Sequence, residues 1–187
     1  MIKAIIWDVG GVIGDYLSSP DSFWRDIPGS KQLRDEFGSS KMSTKEFIKK
    51  GMKMLDLNKK DFLKGYNTYV SVKLNKDVVK ILKQIKIDQY ILSDVSPLAY
   101  KQRLIDFKDI LKLMKDVFWS TELKMRKSSI KTFQVVIKKI RKRPEEVVYI
   151  DDVEEHLERA KSLGINTILY KNPKQIKEAL ENLGVKC

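Results

Sequence analysis

Four short stretches carry side chains suited to handling an anionic group or a hard cation. Asp8 closes the apolar run KAIIWDV (3–9) and is followed by Gly10-Gly11. Ser93 and Asp94 close the run QYILS (89–93) and its next residue, and Asp151-Asp152 follow the run VVYI (147–150). Lys124, Arg126 and Lys127 come after a further run, VFWS (117–120). Carboxylates crowded together repel one another unless a cation or a lysine compensates. With oxygen ligands only, Mg²⁺ is the natural cation, and one of the three basic residues could help. Other chemistries are excluded by count. The chain has one cysteine, Cys187, and one histidine, His156. It therefore has no intrachain disulfide and too few ligands for a Cys/His zinc site, and a Ser-His-Asp triad would have to use His156 without a nucleophile-elbow sequence.

The elements that must position these residues are readable from periodicity. Short apolar runs at 3–9, 89–93, 117–120, 147–150 and 167–170 read as buried strands. Between and after them lie amphipathic helices at 77–87, 97–107, 129–140, 153–163 and 173–183, with Ser96 as an N-cap before Pro97 and Gly164 and Gly184 as stops. Alternating strands and helices predict an α/β fold: a Rossmann-like parallel five-stranded sheet with helices on both faces. Ligands of such sheets collect at the carboxyl ends of the strands, where Asp8, Ser93, Asp94, Ser120, Asp151 and Asp152 fall. Residues 16–70 differ. They carry helical spacing (Phe47, Met52, Met54, Leu55; Phe62, Tyr66, Tyr69) and two helix starts, Ser43 with Glu46 as a capping box and Asn58 before Asp61. This predicts a small helical insert, 16–70, in an α/β core made of 1–15 and 71–187. Asp152 with Glu155 also fits a capping box, and His156 is expected at an exposed helix position.

The chain of 187 residues carries a formal net charge of +12, and 42% of its residues are hydrophobic, enough for a real core. The excess sits in residues 101–143, where 14 basic residues face 4 acidic ones, a net of +10. A charge run of this kind is usually a solvated helix face, and it also suits an anionic partner. Nucleic acid has no support beyond this charge, since no recognition motif accompanies it. No apolar run reaches the length of a membrane span, and the start MIKAIIWDVGG has no signal-peptide shape, so a cytoplasmic protein without a membrane partner is expected. Oligomeric state is not readable.

Taken in order, Asp8-Val9-Gly10-Gly11-Val12, Ile91-Leu92-Ser93-Asp94, Met125-Arg126-Lys127 and Tyr149-Ile150-Asp151-Asp152 resemble the motifs of the haloacid dehalogenase superfamily, mainly its phosphatase branch. The insert lies where many members carry a helical cap, and residues 145–170 are the most similar stretch. The resemblance implies a Mg²⁺-dependent hydrolase that dephosphorylates a small phosphorylated metabolite. It implies Asp8 as the nucleophile that forms an aspartyl-phosphate and Lys127 as the cation that orients it. It further implies Ser93 and the backbone amide of Asp94 as phosphate holders. Mg²⁺ would be held by Asp8, the Gly10 carbonyl, Asp152 and, directly or through water, Asp151. The dehalogenase branch lacks the acidic pair. Receiver domains, which also phosphorylate an Asp, have their pair first in the chain.

Three departures from the pattern stand out. Gly10 replaces the Asp that usually protonates the leaving group, a loss that commonly costs about 10²–10⁴ in rate. Asp15, on the same loop, is a substitute to test. Lys124 stands where Gly is common, and Ser128-Ser129-Ile130 replaces Pro-Asp-Pro. The alternative function these departures raise is a catalytically weak or inactive relative that binds a ligand or partner.

Overall fold

The computed structural model describes residues 1–18, 23–24 and 27–187. Its center is a parallel sheet of β1 (Ala4–Trp7), β4 (Asp88–Ser93), β5 (Asp116–Trp119), β6 (Val147–Asp151) and β7 (Asn166–Leu169), in the order β5-β4-β1-β6-β7. β1 is central, with Trp7 beside Ile91 on one side and Ile150 on the other. Both faces of the sheet are covered, which is why these strands read as unbroken apolar runs. Their side chains still alternate. Ile5, Trp7, Ile91, Val148 and Ile150 face one apolar cluster, and Ala4, Ile6, Leu92, Val147 and Tyr149 face the other.

The first cluster is closed by α4 (Lys76–Gln84), α5 (Pro97–Asp106), the short α6 (Lys108–Leu111) and α10 (Pro173–Asn182). The second is closed by α8 (Ile130–Ile140) and α9 (Glu154–Lys161). A single turn, α7 (Ser120–Leu123), follows β5, and a 3₁₀ turn at Pro144–Glu146 leads into β6. Ser96 caps α5 through the Ala99 amide, at 3.3 Å.

After β1 the chain makes a tight loop and enters β2 (Gly14–Tyr16), which pairs antiparallel with β3 (Val72–Leu74). This ribbon was not predicted. At three residues per strand, with polar Asp15 and Lys73 in it, it has no apolar alternation to read. Between its strands lie α1 (Ser30–Gly38), α2 (Thr44–Leu55) and α3 (Lys59–Val70). They pack on a cluster of their own: Trp24, Leu33, Phe37, Met42, Phe47, Phe62 and Tyr66. Phe37 and Phe47 stack at 3.9 Å, and Gly51 leaves room for Phe62, whose ring a Cβ there would meet at 2.4 Å.

Ser43 and Asn58 cap α2 and α3 as expected, but only half of the Ser43 box forms. Glu46 turns away to pair with Lys50 at 2.8 Å. The capping box at Asp152 and Glu155 does not form. Val153 is the cap residue of α9, and its amide donates to Asp151 instead. Glu155 pairs with Arg159. No helix among the described residues is long and apolar enough to cross a membrane.

Candidate active site

The carboxyl ends of β1, β4 and β6 converge on a pocket of about 270 Å³, covered by the helical insert. Asp8 leaves β1 with its amide bonded to the Ile150 carbonyl, which fixes its backbone to the next strand. Its buried Oδ1 accepts from the Val9 amide at 2.6 Å and from Lys127 Nζ at 2.8 Å. Oδ2 has no hydrogen-bond donor among the described residues. The loop that follows needs its second glycine. Gly11 has φ +82°, and a Cβ there would lie 2.1 Å from Asp152 Oδ2. The loop and the last carboxylate are thus packed against each other.

At the end of β4, Ser93 is buried and lines the pocket. The Asp94 carboxylate accepts from Arg126 Nε at 2.9 Å and from the Lys127 amide at 3.1 Å. It therefore anchors the loop that presents Lys127. Lys124 takes φ +54°, the left-handed region, which is the physical reason glycine suits that position. Thr132 Oγ1 donates to the Arg126 carbonyl at 2.6 Å and ties the far side of the loop to α8. The loop is held without the Pro-Asp-Pro sequence.

Lys127 and Asp151 are the most enclosed charges in the molecule's interior, at 2% and 0% exposure. Lys127 Nζ lies 2.8 Å from Asp8 and 2.7 Å from Asp151 Oδ2. Asp151 also accepts from the Tyr149 hydroxyl and the Val153 amide, and His156 Nδ1 lies 3.2 Å from it. Burial works against the charged form of Asp151, but Lys127 and His156 hold its carboxyl well below the usual range. Burial likewise opposes charge on Lys127, and Asp151 and Asp8 more than restore it, so the lysine stays protonated. Burial pushes the Asp8 carboxyl up; Lys127 pulls it down, and Asp151 and Asp152 add to the rise. Asp152, the exposed member of the three, is raised by partial desolvation at the pocket and by Asp151.

Asp8, Asp151 and Asp152 each bring a carboxylate oxygen to within 4.8 Å of the others. One buried ammonium among three carboxylates leaves negative charge uncompensated. Such a donor set, all oxygen, fits a hard divalent cation.

Two expectations are corrected here. His156 is not a surface residue: its side chain is 17% exposed, because the first turn of α9 carries it back over the end of β6. Asp15 does not face the reacting end of Asp8. It is exposed on β2, where Asn75 Nδ2 donates to it at 3.0 Å. Three contributors were given no role of their own from sequence. Tyr149 is separated from Asp151 by one residue on the same strand, so alternation places both on one sheet face, and a buried tyrosine needs a partner for its hydroxyl. Arg126 joins Asp94 to Asp35 of α1, at 2.9 and 2.7 Å. Tyr16 lines the pocket beside Gly10, and no periodicity marks it. From the insert come Arg34, Tyr66 and Tyr69, and Arg103 comes from α5.

Nucleic acid remains an expectation from charge alone. Part of the basic stretch is paired within the chain: Lys127 in the site, Arg126 with two aspartates, Arg103 with the Val70 carbonyl, and, at the surface, Lys115 and Lys142 with Asp88 and Lys112 with Asp109.

Known structures share the fold. A haloacid dehalogenase family enzyme of Bacteroides thetaiotaomicron has a TM-score of 0.77 at 18% identity, over 96% of this chain and 98% of that one. The wild-type enzyme with magnesium and inorganic phosphate bound gives 0.72 at 19%, over 91% and 95%. A predicted hydrolase of the same kind from Porphyromonas gingivalis gives 0.76 at 18%, over 98% of both chains. The L-2-haloacid dehalogenase of Xanthobacter autotrophicus gives 0.65 at 16%, over 97% and 83%. No curated protein matches the sequence significantly. The family model for haloacid dehalogenase-like hydrolases matches residues 25–170, from the insert through β7. The chain belongs to the haloacid dehalogenase-like hydrolase family.

Proposed function

We propose that the protein is a Mg²⁺-dependent phosphatase of a small phosphorylated metabolite, working through an aspartyl-phosphate on Asp8. The observation that carries this reading is the meeting of Asp8, Lys127, Asp151 and Asp152 at the strand ends. That acidic trio has a use where an oxygen-bound cation and a phosphate must be brought together. The magnesium and phosphate bound by the Bacteroides enzyme support the same choice over dehalogenation.

In this reading Asp8 attacks phosphorus, the bond to the leaving oxygen breaks, and water then cleaves the acyl phosphate and restores the carboxylate. Lys127 holds Oδ1 of Asp8, which leaves Oδ2 as the attacking or metal-facing atom. The Ser93 hydroxyl and the Asp94 amide hold phosphoryl oxygens. The Gly10 carbonyl, Asp8 and Asp152 would hold Mg²⁺, with Asp151 acting through water because Lys127, Tyr149, Val153 and His156 already occupy its oxygens. When bound, Mg²⁺ supplies positive charge that lets a phosphate dianion approach a carboxylate. The helices of residues 16–70 act as a cap, and the pocket of about 270 Å³ restricts the substrate to a small molecule.

The test is phosphate release from a panel of phosphorylated metabolites with Mg²⁺, for the wild type and Asp8→Asn. Release should fall by roughly 10⁴-fold or more in the variant, as when a nucleophile is removed elsewhere. Equal rates for the two proteins would overturn the reading.

A further inference from the structure

Expelling an alkoxide from phosphorus requires a proton at the leaving oxygen as the bond breaks. Most donors in the pocket are committed. Lys127 Nζ lies between Asp8 and Asp151, His156 lies against Asp151, and Arg126 bridges Asp35 and Asp94. Gly10, two residues after Asp8, has no side chain. Its space is nevertheless filled: a Cβ added to Gly10 would lie 2.3 Å from Tyr16 Oη and 2.7 Å from Tyr16 Cζ. Tyr16 is held at this place because β2 pairs antiparallel with β3 and sets it opposite Val72. The residue is 40% exposed and lines the same pocket as Asp8 and Ser93. Among the described residues its hydroxyl has no hydrogen-bond partner.

We propose that the Tyr16 hydroxyl is the catalytic group that protonates the leaving oxygen, standing where a side chain at position 10 would stand. The inference rests on the phosphatase reading and adds a residue to it. In the first step Asp8 bonds to phosphorus, the ester P–O bond breaks, and the Tyr16 proton passes to the leaving oxygen to give an alcohol. In the second, water attacks the phosphorus of the aspartyl-phosphate, the Asp8–phosphorus bond breaks, and one proton of that water returns to the Tyr16 phenolate. The products are the alcohol and inorganic phosphate, with Asp8 and Tyr16 restored.

The experiment measures kcat/KM for an alkyl phosphate and for p-nitrophenyl phosphate, whose leaving group needs no proton. Tyr16→Phe should slow the alkyl ester by roughly 10²-fold and the nitrophenyl ester by less than about threefold. Combining Gly10→Asp with Tyr16→Ala, which removes the ring as well as the hydroxyl, should recover at least about a tenth of the wild-type alkyl rate, since the space a side chain at position 10 needs is then vacated. Affinity of each variant for beryllofluoride with Mg²⁺ reports whether the pocket is intact. Equal losses on both esters with an intact pocket would overturn the proposal, as would no loss at all. If Tyr16→Phe loses the pocket, the single variant Gly10→Ala decides: its Cβ must displace the hydroxyl, so it should slow the alkyl ester roughly tenfold more than the nitrophenyl ester, and equal effects on the two would overturn the proposal. Failure of the phosphatase reading looks different: Asp8→Asn would then leave both esters turning over at the wild-type rate.

Discussion

The pocket has two walls built on different principles. The sheet wall consists of Asp8, Ser93 and Asp151 at the ends of parallel strands, where ladder hydrogen bonds fix the backbone, and of Lys127 on a loop that Asp94 and Thr132 hold. Asp8, Asp94, Lys127 and Asp151 each make two or more polar ties there. The insert wall presents Arg34, Tyr66 and Tyr69 from helices that rest on their own aromatic cluster. It meets the sheet through the β2–β3 ribbon and a few polar ties. Among them are Arg126 to Asp35, Ser120 Oγ to the Gly38 carbonyl at 2.9 Å, Arg103 to the Val70 carbonyl at 3.0 Å, and Ser40 Oγ to the Thr121 carbonyl at 3.2 Å. The difference teaches where chemistry and selection can be separated. Charges that must hold position sit on the rigid wall, and side chains that meet the rest of the substrate sit on the wall that can be altered without moving them.

Removing Lys127 should break the rigid wall most severely. Lys127→Met leaves Asp8 and Asp151 buried without their shared cation, at a cost of about 3–5 kcal/mol. Urea denaturation should show this loss, and phosphate release should fall by roughly 10²–10³-fold. Phe47→Ala should strike the other wall. It opens a cavity between Phe37, Phe62 and Tyr66 and costs about 3–4 kcal/mol. Its kinetic effect should fall mainly on KM, with beryllofluoride affinity retained; a large loss of that affinity would show that the walls are not separable. Arg126→Gln cuts the tie between them. It should cost about 2 kcal/mol and raise KM more than it lowers kcat.

The smallest effect lies at the opposite end of the sheet. Bonds from Lys3 and Arg143 hold the Glu146 carboxyl down to about 2, from an ordinary 4.5. A carboxyl with a depressed folded-state pKa contributes stability above the unfolded value, and that contribution is lost as pH falls from 4.5 toward 2. Glu146→Gln should flatten this part of the acid limb in denaturation curves and leave phosphate release unchanged.

The sheet wall was legible in the sequence because local rules decide it. A short apolar run such as AIIW, closed soon after by Gly10-Gly11, reads as a strand buried on both faces, and the residue that ends such a run falls at the ligand edge. Asp8, Ser93 and Asp151 therefore follow from pattern. Lys127 does not. Lys124, Arg126 and Lys127 are alike in composition, and only the fold separates them: Lys124 turns the chain, Arg126 joins two aspartates, and Lys127 enters the core. The helices α2 and α3 of the insert were legible from spacing and caps, whereas α1, which has no side-chain cap, and the short, polar ribbon that carries Tyr16 were not. His156 was misplaced because periodicity describes a helix face but not the angle at which its first turn meets a strand end. The capping box fails for a related reason: α9 begins one residue later than the pattern suggests, with Val153 and not Asp152 at the cap position.

The central claim is that Asp8 accepts a phosphoryl group in a pocket completed by a divalent cation. Calorimetric titration with beryllofluoride, a mimic of the bound phosphoryl group, tests it most directly. The account predicts one equivalent bound in the presence of Mg²⁺, none in its absence, and none for Asp8→Asn. Binding that survives either the removal of Mg²⁺ or the Asp8→Asn substitution, or no binding by the wild type with Mg²⁺ present, would contradict it.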